Sequence, residues 1–84
     1  MENYISAHRH SIRNRKQLRV PQTCGCFYCL HIFNSREIFF WIDDGQTALC
    51  PKCGIDSVIG AYTGAPISPA FLKEMYDHWF GRRN

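Results

Sequence analysis

Five cysteines punctuate an 84-residue chain, at Cys24, Cys26, Cys29, Cys50 and Cys53. Cys26 with Cys29 and Cys50 with Cys53 form two C-x2-C pairs separated by twenty residues, the spacing of a four-cysteine zinc site. Zinc takes four ligands tetrahedrally, with Zn–S near about 2.3 Å, and two residues between ligands let one tight turn aim both sulfurs at a single Zn2+ ion. Pro51 fixes φ early in the second turn, and Gly54 can adopt positive φ after its second cysteine. Gly25 is read as loosening the approach to the first. The same two turns would also hold a single iron ion, and spacing alone does not separate the metals. Cys24 is surplus: it stands C-x4-C from Cys29 and so is an alternative ligand to Cys26, or else a buried or reactive thiol. His31, two residues beyond Cys29, is read as a neighbour of the site or a surface residue before it is read as a ligand.

The elements that must position these ligands can be read on either side of them. Ile38 to Ile42 is a run of β-branched and aromatic residues, Asp44-Gly45 is a hairpin turn signal, and Thr47 to Leu49 is the returning strand. Ile38, Phe40 and Ile42 would share one face and Phe39 with Trp41 the other, so two apolar faces need cover, and helices on either side are expected to supply it. Asp43 and Asp44 are read as turn residues rather than as ligands for a hard cation. Cys50 to Gly60 reads as a short helix with Pro51 in its first turn and Gly60 as its stop; the alternative is a strand through Val58 and Ile59 leaving a second knuckle. Ser68 can cap a C-terminal helix with Pro69 at its first position and Gly81 at its end. Phe71, Leu72, Met75, Tyr76, Trp79 and Phe80 recur on its inner face, and Glu74 and His78 are one turn apart on the outer one.

The charge is divided along the chain. Residues 1–20 hold Arg9, Arg13, Arg15, Lys16 and Arg19 against Glu2 alone, a local +4, whereas residues 21–81 carry three basic and six acidic residues and Arg82 and Arg83 follow. The formal net charge of +3 therefore hides a basic arm on an acidic body. On one helix over 1–20, Arg9, Arg13 and Lys16 would line a face, a stripe suited to the phosphates of a nucleic acid. Apolar residues make up 45% of the chain and charged residues 20%, the composition of a folded protein rather than a disordered tail. No run approaches the roughly 18 to 20 apolar residues of a membrane span. MENYISAHRH has no apolar stretch of a secretory signal, so a reducing, cytoplasmic setting is expected, in which cysteines read as metal ligands before disulfides.

The segments CGCFYC and TALCPKCGIDSVIG, with a terminal helix ending in HWF, resemble a family of short, uncharacterised bacterial cytoplasmic proteins built around a four-cysteine zinc site. The resemblance spans most of the chain and implies the metal without implying an activity. More distantly, the first knuckle, hairpin and second C-x2-C look like treble-clef fingers, including the zinc-bound HNH-type nucleases. Those nucleases use a hairpin histidine to activate water, and this hairpin reads FFWIDDGQ. No Ser-His-Asp, Glu-x-x-His or phosphate-loop pattern occurs elsewhere, so no enzyme is expected.

The sequence thus predicts one α+β domain over residues 1–84: a basic N-terminal helix over 1–20, a zinc-binding core over 24–60 and an amphipathic helix over 68–81. The arrangement expected is treble-clef-like (knuckle, β-hairpin, helix), with a zinc ribbon as the alternative. One structural Zn2+ on Cys26, Cys29, Cys50 and Cys53 would couple folding to metal binding, with no organic cofactor and no membrane. The function expected is a binding module that touches nucleic acid through its basic helix. The alternatives are a protein-interaction or dimerisation module, and a redox sensor or enzyme that would depend on an exposed, low-pKa Cys24.

Overall fold

The first knuckle is carried by a three-stranded antiparallel sheet whose central strand is β1 (Thr23–Cys26), flanked by β2 (Ile32–Asn34) and β5 (Val58–Gly60). The computed structural model describes residues 3–81, so the expectations for Glu2, Arg82 and Arg83 lie outside the described residues. Strand alternation sorts this sheet into two faces. Cys24 and Cys26 pack with Phe33, Val58 and Cys50 on one side. Ile59 packs with Leu72 and Met75 on the other, where Gly25 faces Leu72 and Ile67. The sheet is therefore the partition between a cysteine-side core and a helix-side core.

A second sheet, the two-stranded hairpin of β3 (Trp41–Ile42) and β4 (Thr47–Ala48), leads into the second cysteine pair. The hairpin is shorter than the sequence predicts. Asn34 and Glu37 form a capping box around a 3-10 turn at Ser35–Glu37, which turns the chain just before the apolar run begins. Ile38 is buried, but Phe39 and Phe40 are each 63% exposed, so the expectation that both hairpin faces are covered does not hold. The hairpin reverses through Asp43, Asp44 and Gly45, all at positive φ (55°, 59° and 80°), a conformation that Asp and Gly tolerate best. Asp43 accepts a 2.8 Å hydrogen bond from the Thr47 hydroxyl, which agrees with a turn.

No helix forms over Cys50–Gly60. Pro51 to Cys53 is a turn, and the chain then enters β5, paired to β1 with Cys26 opposite Val58. This corrects the treble-clef helix and matches the alternative arrangement, a strand leaving the second knuckle. Pro51 and the glycines punctuate a turn as well as they do a helix, and pairing with β1 decided between them.

The basic N-terminal helix is also corrected. Ser6–Ser11 is a 3-10 helix and α1 (Arg15–Leu18) a single α-helical turn, separated by Arg13 at φ 50°. Arg9, Arg13 and Lys16 therefore do not share one helical face. The break follows from Asn14, 1% exposed, whose Nδ2 donates to the carbonyls of His10 (3.0 Å) and Val58 (3.1 Å) and whose Oδ1 accepts from Ala48 N–H (3.1 Å). One side chain thus ties the N-terminal segment to both sheets. Every polar atom of its amide is used in a dry interior, where an unmet group would be costly.

α2 (Pro69–Tyr76) begins as the sequence predicts, with Ser68 Oγ accepting from Phe71 N–H at 3.2 Å and Pro69 in the first turn. Phe71, Leu72 and Met75 are buried. Asp77–Gly81 continues as a π-turn, which carries Trp79 against His8 (4.0 Å between rings) and Phe80 against Tyr28 (5.0 Å) and Phe27 (5.9 Å). On the outer face Lys73 pairs with Asp77 at 3.0 Å, while His78 meets the Tyr4 ring edge-on. No described helix is long and apolar enough to cross a membrane.

Candidate metal centre

The two C-x2-C turns are copies of one structure. In the first, the Tyr28 and Cys29 N–H groups point at Cys26 Sγ (both 3.4 Å). In the second, those of Lys52 and Cys53 point at Cys50 Sγ (3.3 and 3.5 Å). Leu30 N–H donates to the Cys26 carbonyl at 2.8 Å and Gly54 N–H to that of Cys50 at 2.9 Å; Cys26 N–H donates to His31 O and Cys50 N–H to Ile55 O, both at 3.0 Å. Positive φ follows each pair, at Leu30 (67°) and Gly54 (78°).

These turns bring Cys26, Cys29, Cys50 and Cys53 together with all four Sγ atoms within 4.8 Å of one another. Cys26 Sγ lies 3.6 Å from Cys53 Sγ, and Cys29 Sγ 3.7 Å from Cys50 Sγ. A tetrahedron with metal–sulfur bonds of about 2.3 Å has sulfur–sulfur edges of about 3.8 Å, so the donor set fits a tetrahedral thiophilic ion. All five cysteines are free thiols. Among the described residues this is the sole group of three or more His, Cys, Asp or Glu side chains so gathered.

The electrostatics also call for a cation. Burial works against ionising Cys26, but the hydrogen bonds from Cys29 N–H, Ser57, Tyr28 N–H and Cys53 outweigh it and hold this thiol below its ordinary value. Burial raises Cys29 and Cys53, and closeness to the Cys26 charge raises them further. Four thiolates at such separations repel one another unless a positive ion sits among them. The four N–H donors and the Ser57 hydroxyl, 3.3 Å from Cys26 Sγ, would offset the charge left when a dication meets four thiolates.

Cys24 is not part of the set. It shares a sheet face with Cys26 but stands two residues away, about 6.6 Å along a strand, and is wholly buried. Burial pushes its thiol up to about 12, the opposite of what a reactive sulfur needs. His31 stacks on Phe33 instead of joining the cluster. The sequence reading missed Ser57, Asn14 and the left-handed Leu30. Superposing CFYCLH on CPKCGI would have exposed Leu30, since it falls where the second copy has Gly54; Ser57 and Asn14 carry no local signal.

Of the five basic candidates, the fold gathers three. Arg15, Lys16 and Arg19 line, with Gln46, a cleft of about 290 Å3 beside the hairpin. Arg15 is anchored there: its N–H donates to Gln46 O (3.0 Å), its Nη1 to Gly45 O (2.9 Å), and its guanidinium lies 4.7 Å over the Trp41 ring. Arg9 and Arg13 do not line this cleft: Arg9 stands alongside His8 and Ile12 in another hollow, and Arg13 has its N–H on the Thr47 hydroxyl.

Together, fold and cluster define a small α+β domain with a four-cysteine site able to hold a metal ion. Compared with known proteins, the chain matches no family model, and no curated protein or solved structure is significantly similar to it.

Proposed function

We propose that the chain is a zinc-stabilised binding module of zinc-ribbon type that contacts nucleic acid through the Arg15–Lys16–Arg19 cleft. The observation that carries the metal half is the closed set of four sulfurs. With every tetrahedral position taken by a thiolate, no site remains for a water or a substrate, which is the pattern of structural rather than catalytic zinc. The ion joins a turn of the three-stranded sheet to a turn that follows the hairpin, so its binding energy enters folding directly. Ribbon type is supported by the strand that leaves each cysteine turn. Cysteines used as metal ligands and not paired in disulfides suit a reducing compartment such as the cytoplasm.

The nucleic-acid half rests on the cleft: three cations clustered on one edge, one of them held in place by two hydrogen bonds and a stacked ring, form a preorganised surface for phosphate. A protein-interaction or dimerisation module is the second reading, favoured by the exposure of Phe39 and Phe40. Elemental analysis with native mass spectrometry tests the metal half, with one zinc per chain expected; iron, or no bound metal in a folded chain, overturns it. Electrophoretic shift of the metal-loaded protein on mixed nucleic acids tests the other half. A shift weakening with salt supports the reading, and no shift by folded, loaded protein removes it.

A further inference from the structure

We infer that Phe39 and Phe40, with the neighbouring Arg15, Lys16 and Arg19, form a platform for single-stranded nucleic acid, bases stacking on the rings and phosphates held by the cations. The inference rests on the nucleic-acid reading above and narrows it to one strand state and one set of residues.

Two adjacent phenylalanines, each 63% exposed with ring centroids 4.9 Å apart, are an unusual feature for a soluble surface. Along the chain they connect to the basic cleft through one residue. Trp41 follows Phe40 directly and is half-buried under the Arg15 guanidinium, and Phe39 stands at most about 7 Å along the backbone from Trp41. Arg15 in turn lines the cleft with Lys16 and Arg19. Aromatic rings beside a cationic groove are how proteins hold single strands without reading their sequence, since every base offers a π-face.

Duplex recognition fits this surface poorly. Reading a major groove takes an α-helix or a two-stranded ribbon of some length, whereas α1 has four residues and β3 and β4 two each. Three acids stand nearby. Asp43 is engaged with the Thr47 hydroxyl, and Glu37 accepts from Asn34 N–H at 3.0 Å. Asp44, exposed at the hairpin tip, opposes a phosphate, so Asp44→Asn should tighten binding.

The test is fluorescence anisotropy of the metal-loaded full chain with a labelled oligothymidylate of roughly twelve nucleotides, and with a duplex of equal length. Three phosphate contacts predict that raising salt from about 50 to about 200 mM weakens single-strand binding roughly twentyfold. The double variant Phe39→Ala, Phe40→Ala, with unchanged metal content, should lose at least about tenfold, and Phe40→Trp, which keeps a ring, should bind like the parent. Lys16→Glu with Arg19→Glu should abolish binding. If the charge variant abolishes binding but the alanine pair does not weaken it, the platform is wrong and the basic-cleft reading survives. Duplex binding as tight as single-strand binding overturns the strand preference. No binding of either by folded, loaded protein overturns both, and a self-association that the alanine pair abolishes would then assign the rings to a protein partner.

Discussion

Leu30 and Gly54 occupy the same position in two copies of one turn, four residues after Cys26 and Cys50, and both hold left-handed φ, 67° and 78°. The left-handed φ turns the chain back at this residue, so that the carbonyl of the next one, His31 or Ile55, accepts from the N–H of the first cysteine. One copy adopts it with glycine, and the other with a branched residue whose backbone strain is offset by packing against the helix-side core.

A Cβ at Gly54 meets nothing within 4 Å, so Gly54→Ala should cost only the left-handed conformation itself, about 1–2 kcal/mol. Leu30→Gly removes strain and packing together and should be nearly neutral. Denaturant unfolding of the metal-loaded variants checks both. A Gly54→Ala protein as stable as its parent would show that the two turns are not equivalent.

Ser57→Ala removes the hydroxyl beside Cys26 Sγ while leaving the backbone bond from Phe27 N–H to Ser57 O in place. The four sulfurs keep their positions, but Cys26 loses a donor that favours its thiolate. Metal affinity should fall about 10- to 100-fold, measured by competition with a chelator, with the circular dichroism of the loaded protein unchanged. Unaltered affinity would mean that the hydroxyl donates elsewhere.

What the sequence made legible follows from how local each signal is. The C-x2-C pairs and the Ser68–Pro69 helix start are written in residues a few positions apart, and the structure places both where expected. Cys50–Gly60 was misread because its punctuation is shared by turns and helices, and only pairing with β1, through residues far away in the chain, settles it. The N-terminal stripe was misread for a similar reason: Asn14 breaks the helix to bond with Val58 and Ala48, partners that no local periodicity can reveal. Gly25, which the sequence presents as a flexible approach to the first pair, is a point of close contact with α2.

That contact is tight. A Cβ at Gly25 would lie 2.7 Å from Leu72 Cδ1 and 3.1 Å from Ile67 Cγ2, so Gly25→Ala forces these side chains aside and should destabilise by about 1–3 kcal/mol. Leu72→Ala alone should cost about 2–5 kcal/mol through the cavity it leaves. Because the added methyl group enters the space that Leu72 vacates, the double variant should lose less than the sum of the two. Simple additivity in denaturant unfolding would show that the helix-side core does not meet the sheet at this point.

Cys24 supplies a count that separates ligand from bystander. It is wholly buried, and its thiol resists ionisation. The metal-loaded protein should therefore show no rapidly reacting thiol at neutral pH, and chelation should expose all five together. Cys24→Ala should keep one metal per chain, whereas Cys26→Ala should not. A single fast thiol in the loaded wild type that disappears in Cys24→Ala would restore Cys24 as a reactive group.

Two devices can join the sheets, a metal ion held by Cys26, Cys29, Cys50 and Cys53 and the Asn14 amide between Ala48 and Val58, and they should fail differently. Protons compete with the metal for thiolate, so metal-derived stability is full near neutral pH and declines on acidification as the sulfurs protonate. Chelation at neutral pH should unfold the chain, since a domain of this size has little stability in reserve. Asn14→Ala leaves the donor set intact but strips partners from Ala48 N–H and the Val58 and His10 carbonyls. It should still bind one metal yet unfold at lower denaturant, by at least about 1–3 kcal/mol. Its acid-induced loss of metal should follow the same sulfur protonation and therefore come at a similar pH at matched stability. Loss of metal by Asn14→Ala at neutral pH would mean that the amide, and not the cysteine turns alone, holds the four sulfurs in register.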